Sequence, residues 1–292
     1  LTPLLFVACA MTAITASAIA NTPPPAAPDR PAATPIRASK IVLVGDSTTS
    51  VLSGWGGAFC DQHVQSFLAC VNLARGGRSS GSYRAEGSWD IALHEIRAGP
   101  YDAVYVLLQF GHNDQPGKPG RSTDLAREFP ANLARYVREI RAAGGHPVLL
   151  TPLTRRQFKD GILIDDLGDW ADATRAVPAE LDVPLVDLHA RSHRMVQGLG
   201  PVTSMRLAQR PPEPHQVTAA QGGTTVGKTP PADAAAASPA ALQNHAAFEP
   251  MGQARLAFDY THLGPEGAAL FAAVVADELA RVVPALQANL IP

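Results

Sequence analysis

Short apolar runs that do not alternate with polar residues recur along this 292-residue chain and constrain its fold more than any other feature. The run from Ile41 to Val44 is typical of them. A strand with one wet face alternates apolar and polar residues, whereas a strand of a covered parallel sheet is apolar throughout. Segments with helical periodicity lie between the runs, so we predict an α/β protein whose parallel sheet has helices on both sides.

The predicted strands and helices alternate over most of the chain. Several helices are predicted to end at a glycine, as at Gly144 and Gly198, and the last one begins with Pro265 in its first turn. We predict strands near residues 40–45, 69–73, 102–109, 147–151 and 184–187, and helices near 56–66, 88–98, 126–143, 169–181, 188–198 and 265–284.

Ser47 comes just after the first predicted strand, at the carboxyl end where open α/β sheets bind ligands. A serine hydroxyl attacks an ester only if an imidazole removes its proton and a carboxylate orients that imidazole. Asp259 and His262, three residues apart and far downstream, offer both groups. The sequence therefore predicts a nucleophilic serine, whereas Ser47 and Thr48 taken alone would also suit the N-cap of the next helix.

Two further loops follow predicted strands and carry residues that suit the same chemistry. Gly76 and Gly77 lie in the first loop, where glycine lets backbone N–H groups approach a ligand, although a glycine pair is also an ordinary turn. Asn113 lies in the second loop. Its side-chain amide could stabilise an oxyanion, and the alternative is an Asx turn that holds its own backbone.

Taken in order, these four segments resemble the SGNH hydrolases, also called the GDSL family. The resemblance implies a three-layer α/β/α sandwich with a flavodoxin-like strand order and a serine esterase without cofactor or metal. It implies that Ser47 is the nucleophile, His262 the base and Asp259 the residue that orients it. The oxyanion hole would consist of the Ser47 N–H, the Gly77 N–H and the Asn113 side chain.

Within that family the chain is similar to the rhamnogalacturonan acetylesterase branch, in which threonines follow the serine as Thr48 and Thr49 do here. The resemblance implies removal of acetyl groups from plant cell-wall polysaccharide of the rhamnogalacturonan or pectin type. A broader lipase, arylesterase or thioesterase and an inactive carbohydrate-binding relative are the alternatives. The similar segments are Gly54 to Gly56, Gly77 to Ser79 with Glu86-Gly87, Gln109 to Asp114, Thr151 to Arg156, and Asp259 to His262.

Basic residues in these loops are candidates for contact with the substrate. Guanidinium groups suit the carboxylates of acidic sugars, and a histidine beside Asn113 could also touch the substrate. The alternative is that these side chains brace the loops through ion pairs and backbone hydrogen bonds. The candidates are Arg78, Arg84, His112, Arg155 and Arg156.

Composition limits which partners the protein can bind and indicates the compartment in which it acts. A net charge of −2 and a pI near 6.5, without a basic stripe, predict that nucleic acid is not a partner. No Cys-x-x-Cys pair occurs, and neither a metal nor a cofactor is predicted. Cys60 and Cys70 are predicted to form a disulfide in an oxidising compartment, the alternative being two buried thiols. We expect a monomer whose partner is an acetylated polysaccharide or oligosaccharide.

The beginning of the chain is interpreted from its composition. Residues 1–20 are small and apolar and suggest a signal peptide, with a retained anchor or lipoprotein processing as alternatives. The protein is therefore predicted to be secreted or periplasmic, with no membrane contact after cleavage. Residues 21–38 are interpreted as a proline-rich linker, which leaves residues 39–288 as one hydrolase domain.

One stretch inside that domain departs from the pattern of strands and helices. Residues 201–250 are rich in proline and alanine and are predicted to be a low-complexity insertion. Asp259 and His262 follow soon after it, so the insertion could act as a lid over the site. The alternative is a plain surface loop.

Overall fold

A computed structural model describes residues 38–227 and 256–291 of the chain. The strands of its main sheet are β1 (Ser39–Gly45), β2 (Leu68–Asn72), β3 (Ala103–Gln109), β4 (His146–Leu150) and β7 (Leu185–Val186). Their order is β2-β1-β3-β4-β7, and every neighbouring pair is parallel. This is the flavodoxin-like order, so the predicted fold class is confirmed. Two short strands, β5 (Phe158–Lys159) and β6 (Ile162–Leu163), form a separate antiparallel hairpin.

Helices connect the strands of the sheet. Each of the six predicted helices has a counterpart, although the first ends at Gln62 rather than near residue 66. The hairpin and two short helices, Ser82–Ala85 and Pro214–Gln221, were not predicted, because so few residues show no periodicity. The helices are α1 (Gly56–Gln62), α2 (Ser82–Ala85), α3 (Ser88–Arg97), α4 (Glu128–Ala142), α5 (Gly168–Leu181), α6 (Leu188–Thr203), α7 (Pro214–Gln221) and α8 (Pro265–Val282), with 3₁₀ segments at Ser204–Leu207 and Pro284–Asn289.

The sheet separates two apolar layers, which explains why β1 lacks polar alternation. Ile41 and Leu43 belong to the layer that also contains side chains of α1, α6 and α8. Val42 and Val44 belong to the layer formed with α3, α4 and α5. All four side chains are fully buried, and burial of each contributes about 1.5–3 kcal/mol to stability. A strand covered on both faces has no position for a polar residue until it leaves the core.

Residues 201–227 differ from the predicted low-complexity insertion. Gly200, with φ of 74°, interrupts helix α6, and the chain continues through a 3₁₀ turn and α7. Met205 and Ala220 are buried against Tyr260 in a small apolar cluster. Pro214 occupies the start of α7, where a missing N–H costs nothing, so proline begins this helix rather than preventing it. Residues 228–255, the rest of the predicted insertion, lie outside the described residues.

The predicted signal peptide and all but the last residue of the predicted linker also lie outside the described residues. Within the two described ranges, no helix combines the length and apolar character needed to cross a bilayer. Cys60 on α1 and Cys70 on β2 are joined by a disulfide, which ties the first helix to the edge strand of the sheet.

Candidate active site

Ser47 stands two residues beyond β1, at the carboxyl edge of the sheet, and is 8% exposed. The loop that follows folds back on it, because the Ser47 carbonyl accepts hydrogen bonds from the hydroxyls of Ser50 at 3.0 Å and Ser53 at 2.8 Å. Helix α1 begins only at Gly56, so Ser47 does not cap it. The serine is thus held in a tight turn by its own neighbours.

Asp46 supports the same turn from the other side. Its Oδ1 atom accepts hydrogen bonds from the Thr48 N–H and the Thr48 hydroxyl, both at 2.8 Å, and the carboxylate is fully buried. A buried carboxylate that accepts such bonds resists displacement, since leaving it unpaired would cost several kcal/mol. The backbone around Ser47 is therefore fixed before any substrate arrives.

Gln109, the last residue of β3, connects the loop after β1 to the loop after β4. Its Oε1 accepts hydrogen bonds from the Thr49 hydroxyl at 2.5 Å and the Trp55 indole at 3.0 Å, and its Nε2 donates to the Thr151 carbonyl at 3.0 Å. The side chain is fully buried. The sequence pattern predicted no role for Gln109, although a polar residue at the end of an apolar strand is a usable signal.

His262 and Asp259 meet Ser47 although 215 residues separate the serine and the histidine. The Nε2 atom of His262 lies 2.9 Å from the Ser47 hydroxyl oxygen, and Nδ1 lies 2.7 Å from Oδ2 of Asp259. Oδ1 of Asp259 accepts the N–H groups of Thr261 at 2.8 Å and His262 at 2.7 Å. In this geometry the imidazole can accept the serine proton while the carboxylate holds it in one tautomer.

The environment of Asp259 keeps it ionised. Burial acts to raise the pKa of its carboxyl group, but the hydrogen bond and charge of His262 and two backbone N–H groups outweigh burial. The pKa therefore lies below the ordinary value for aspartate. At neutral pH the carboxylate can stabilise a positively charged His262 ring.

Arg156 positions the loop that carries these two residues. Its guanidinium donates to the carbonyls of Asp259 at 3.0 Å, Thr261 at 3.2 Å and His262 at 2.8 Å. Its side chain is 1% exposed, and burial lowers its pKa to about 10, which leaves it charged at neutral pH. Arg156 was predicted as a substrate contact, but a side chain closed to solvent braces the loop instead.

Three groups near Ser47 could stabilise a negatively charged oxygen. Among the described residues, neither the Ser47 N–H nor the Gly77 N–H has a hydrogen-bond partner. Gly77 has φ of 78°, a conformation that favours glycine. The amide of Asn113 donates one hydrogen to the Arg78 carbonyl at 3.1 Å, which leaves its second hydrogen for another acceptor. The Asn113 loop thus lies beside the Gly77 loop, as an oxyanion hole requires.

Asp114 anchors the Asn113 loop and was not predicted as a functional residue. Its carboxylate accepts hydrogen bonds from the Ser80 N–H at 3.0 Å, the Ser80 hydroxyl at 2.6 Å and the Gly111 N–H at 3.1 Å. The Thr123 hydroxyl adds a fourth at 3.1 Å. These bonds tie the loop after β2 to the loop after β3, so the two loops that carry Gly77 and Asn113 hold each other in place.

His112 is buried beneath the site rather than open to a ligand. Its ring is 2% exposed, and Nδ1 lies 3.6 Å from Oδ2 of Asp46. Neither ring nitrogen has a hydrogen-bond partner among the described residues. Burial lowers the pKa of His112, against the pull of the Asp46 carboxylate. A direct substrate contact, one of the sequence expectations, is therefore not available to this ring.

Arg78 and Arg155 lie at the site but are engaged by protein groups. Arg78 pairs with Glu86 at 2.8 Å and donates to the Gly76 carbonyl, and its side chain is 11% exposed. Arg155 pairs with Asp166 and donates to Gln115 at 2.9 Å, with the same small exposure. Both arginines brace loops, which was the alternative to a contact with the substrate.

Arg84 is directed at helix α4. Its guanidinium forms a two-pronged ion pair with Glu139, with both nitrogen–oxygen distances 2.9 Å, and lies 4.9 Å from the centre of the Tyr136 ring. Burial opposes ionisation of Glu139, but hydrogen bonds from Arg84, Trp89 and Arg135 outweigh it and lower the Glu139 pKa to about 2. Arg84 therefore also takes the bracing role.

No group of three or more histidine, cysteine, aspartate or glutamate side chains in the described ranges is arranged to hold a metal ion. The chemistry available at this edge comes from a hydroxyl, an imidazole, a carboxylate and several N–H donors. A parallel α/β sandwich with these groups at its carboxyl edge has the chemical groups that a hydrolytic enzyme requires.

The sequence matches the model of the GDSL-like lipase/acylhydrolase family over residues 43–270. The matched region runs from β1 into α8 and includes Ser47, Asn113 and His262. The chain belongs to this family and is a hydrolase of the esterase class.

Its relatives agree with the predicted branch. Over 176 residues it is 36% identical to rhamnogalacturonan acetylesterase RhgT of Bacillus subtilis, which covers 58% of this chain and 72% of the relative. Over 162 residues it is 35% identical to the probable rhamnogalacturonan acetylesterase YesY of the same organism, covering 53% and 72%. The resemblance to this branch is thus confirmed.

A solved structure, that of the protein YxiM of Bacillus subtilis, shares the fold. The TM-score is 0.57 at 21% sequence identity, over 85% of this chain and 57% of that one. This likeness supports the α/β sandwich and says nothing further about substrate.

Proposed function

We propose that this protein is a serine esterase that removes acetyl groups from a plant cell-wall polysaccharide of the rhamnogalacturonan or pectin type. One observation carries the proposal: a continuous chain of hydrogen bonds joins Ser47 to His262 at 2.9 Å and His262 to Asp259 at 2.7 Å. The substrate class is supported by the sequence likeness to proteins named as rhamnogalacturonan acetylesterases.

In the first half of the reaction, Nε2 of His262 takes the proton of the Ser47 hydroxyl as the oxygen bonds to the acetyl carbonyl carbon. The carbonyl π electrons move to its oxygen, which becomes an oxyanion. When the tetrahedral species collapses, the bond to the sugar oxygen breaks, and that oxygen takes the proton from His262. An acetyl-serine and a free sugar hydroxyl result.

In the second half, water replaces the sugar. His262 removes a proton from the water as its oxygen bonds to the acetyl carbon, and the proton passes to Ser47 Oγ when the acyl bond breaks. Acetate leaves and the serine is regenerated. Asp259 stays ionised throughout, in keeping with its lowered pKa, and holds the ring through Nδ1.

Both tetrahedral species need donors for their oxyanion. We assign this role to the N–H groups of Ser47 and Gly77 and to the second amide hydrogen of Asn113, which have no other partner among the described residues. Such donors are already oriented before reaction and are each worth about 10²–10³ in rate.

We also propose that the protein acts outside the cytoplasm. The small apolar residues 1–20 have the composition of a signal peptide. The disulfide between Cys60 and Cys70 supports the same location, because disulfides persist in oxidising compartments. Mass measurement of the mature chain purified from culture medium or periplasm tests this, and a chain that retains residues 1–20 in the cytoplasm would contradict it.

The test of function is acetate release from acetylated pectic rhamnogalacturonan and from p-nitrophenyl acetate. The wild-type protein is expected to release acetate from both, and Ser47→Ala to release none. Ser66→Ala is the matched control, since Ser66 is exposed and precedes β2 at the amino edge of the sheet, opposite the edge that carries Ser47, and it is expected to keep full activity.

The alternatives give different results in the same experiment. Faster hydrolysis of p-nitrophenyl esters with long acyl chains than of the acetate would favour a broader lipase or acylhydrolase, which the family name includes. No activity on any ester, together with binding of the polysaccharide, would favour an inactive carbohydrate-binding protein.

A further inference from the structure

A pocket of about 320 Å³ opens between the Ser47 loop and the loop that carries Gly77. This volume is at the small end of ligand pockets, which run from about 300 to 1,000 Å³, and suits one sugar ring. The side chains that define it come from the two loops, from the end of β2 and from helices α2 and α3. They include Ser50, Asn72, Arg75, Tyr83, Ser88 and Ile91.

The pocket adjoins the reacting groups. Ser50, on one wall, donates its hydroxyl to the carbonyl of Ser47 at 3.0 Å. Arg75, on another wall, is fixed by its own N–H, which donates to the Gly45 carbonyl at 2.9 Å. Gly77 is two residues further along, so its Cα atom lies within about 7 Å of that of Arg75. A sugar bound in this pocket would therefore lie close enough to Ser47 to belong to the same substrate chain as the group that reacts there.

Arg75 is the one charged residue among the described residues that line the pocket. Its Nη1 donates to the Ser88 hydroxyl at 2.8 Å and lies 3.6 Å from Glu86. Its Nε and Nη2 atoms have no protein partner within the described ranges. At 37% exposure, its side chain is far more open than those of Arg78, Arg155 and Arg156.

Glu86 does not neutralise this arginine. Its Oε2 atom already pairs with Arg78 at 2.8 Å, and its Oε1 atom accepts the Ser88 hydroxyl. Two guanidinium groups thus share one carboxylate, which leaves one net positive charge beside the pocket.

The remaining polar groups of the pocket are engaged elsewhere. The amide of Asn72 donates to the Thr49 carbonyl at 2.9 Å, and the Tyr83 hydroxyl donates to the Leu73 carbonyl at 2.8 Å. Ile91 is 58% exposed and offers an apolar patch at the rim. The groups left to recognise a ligand are the planar guanidinium of Arg75, which has only part of its hydrogen bonds satisfied, and the apolar side chain of Ile91. This combination suits a carboxylate carried on a sugar ring.

We propose that this pocket is a carboxylate subsite, in which Arg75 binds the uronate group of a sugar in the same polysaccharide chain whose acetyl group reacts at Ser47. The subsite rests on the proposed function, and it predicts that acidic polysaccharide is a better substrate than neutral polysaccharide. The arginines expected from sequence to do this are committed to internal partners, whereas Arg75 keeps two guanidinium nitrogens, Nε and Nη2, without a partner among the described residues.

The first experiment compares two acetylated substrates of similar length, an oligogalacturonate-rich one and a neutral xylo-oligosaccharide. The ratio of their kcat/KM values is expected to fall about 10- to 100-fold in Arg75→Gln, because bonds to a charged group are lost. Arg75→Lys should lose less, since it keeps the charge but not the planar fork. Arg127→Gln, an arginine with an 85% exposed side chain, is the matched control and should keep the wild-type ratio.

The second experiment is independent of catalysis. Titration calorimetry measures binding of unacetylated trigalacturonate to Ser47→Ala, with and without Arg75→Gln. Binding that weakens at least 10-fold with the second substitution supports the subsite even if the acetylesterase activity proves wrong. Equal binding by the two variants, or no binding by either, overturns the subsite, as does an unchanged substrate ratio in the kinetic experiment.

Discussion

Replacing Arg156 by methionine is expected to destabilise the loop that carries His262 and to let that loop move. Methionine keeps most of the length and apolar volume of the side chain but has no donor for the three carbonyls that the guanidinium now holds. Because Arg156 is closed to solvent, water cannot replace it without opening the structure.

The expected cost follows from two opposing effects. Each lost bond to a charged group is worth about 1.5–3 kcal/mol, so three of them set an upper bound of roughly 5–9 kcal/mol. Removing a buried charge returns several kcal/mol of its desolvation cost. The net loss of stability is expected to be about 2–4 kcal/mol, which lowers Tm by roughly 4–16 °C for a domain of this size. A displacement of about 1 Å at His262 would lower kcat about 100-fold.

Thermal unfolding followed by circular dichroism measures the first effect, and p-nitrophenyl acetate hydrolysis well below Tm measures the second. Arg127→Met is the control, since its side chain is 85% exposed and its ion pair with Asp124 is 3.5 Å long. That variant is expected to lose less than about 1 kcal/mol. If Arg156→Met is less stable but keeps wild-type kcat, the bracing of His262 by this arginine is refuted.

Three further predictions concern other parts of the structure. Asn113→Ala is expected to lower kcat about 10²–10³-fold with little change in KM, as steady-state kinetics would show; an unchanged kcat would remove Asn113 from the oxyanion hole. Loss of the disulfide in Cys60→Ser with Cys70→Ser should destabilise the protein by roughly 2–3 kcal/mol in urea titrations, and no shift would mean that the bond contributes nothing. The folded-state pKa of Glu139, about 2, lies below its ordinary value of 4.5. The stability that the ionised Glu139 contributes to the fold is therefore complete above pH 4.5 and is lost as pH falls toward 2. Glu139→Gln should therefore be less stable at pH 7, and its free energy of unfolding should fall less steeply between pH 5 and 2 than that of the wild type. Urea titrations at a series of pH values measure this, and an equally steep fall in the two proteins would contradict it.

Long, regular elements of this fold were predictable from local pattern. β1, α4 and α8 were predicted to within about two residues, because burial on both faces or on one helical stripe leaves a periodic signal. The helix α7 and the β5–β6 hairpin were not, since they depend on contacts such as that of Ala220 with Tyr260 rather than on their own sequence. The prolines near Pro214 favoured a low-complexity insertion, but Pro214 begins a helix that tertiary contacts stabilise.

The candidate site divides in a similar way. The residue types of Ser47, Asp259 and His262 and their places after strands were readable, because the chemistry of ester hydrolysis requires those groups. The supporting residues Gln109 and Asp114 were not, since a buried hydrogen-bond network has no periodicity.

By itself, the sequence determined which chemical groups the protein has, the order along the chain of the strands of the main sheet and of the long helices, and the family to which the chain belongs. Only the tertiary structure decided which of the arginines near the site keeps donors for a ligand. Arg78, Arg84, Arg155 and Arg156 are committed to partners far away in sequence, and Arg75 is left partly open beside Ser47. The reason is physical: the free energy of a charge depends on its burial and on the groups within a few ångströms of it, and folding alone sets both.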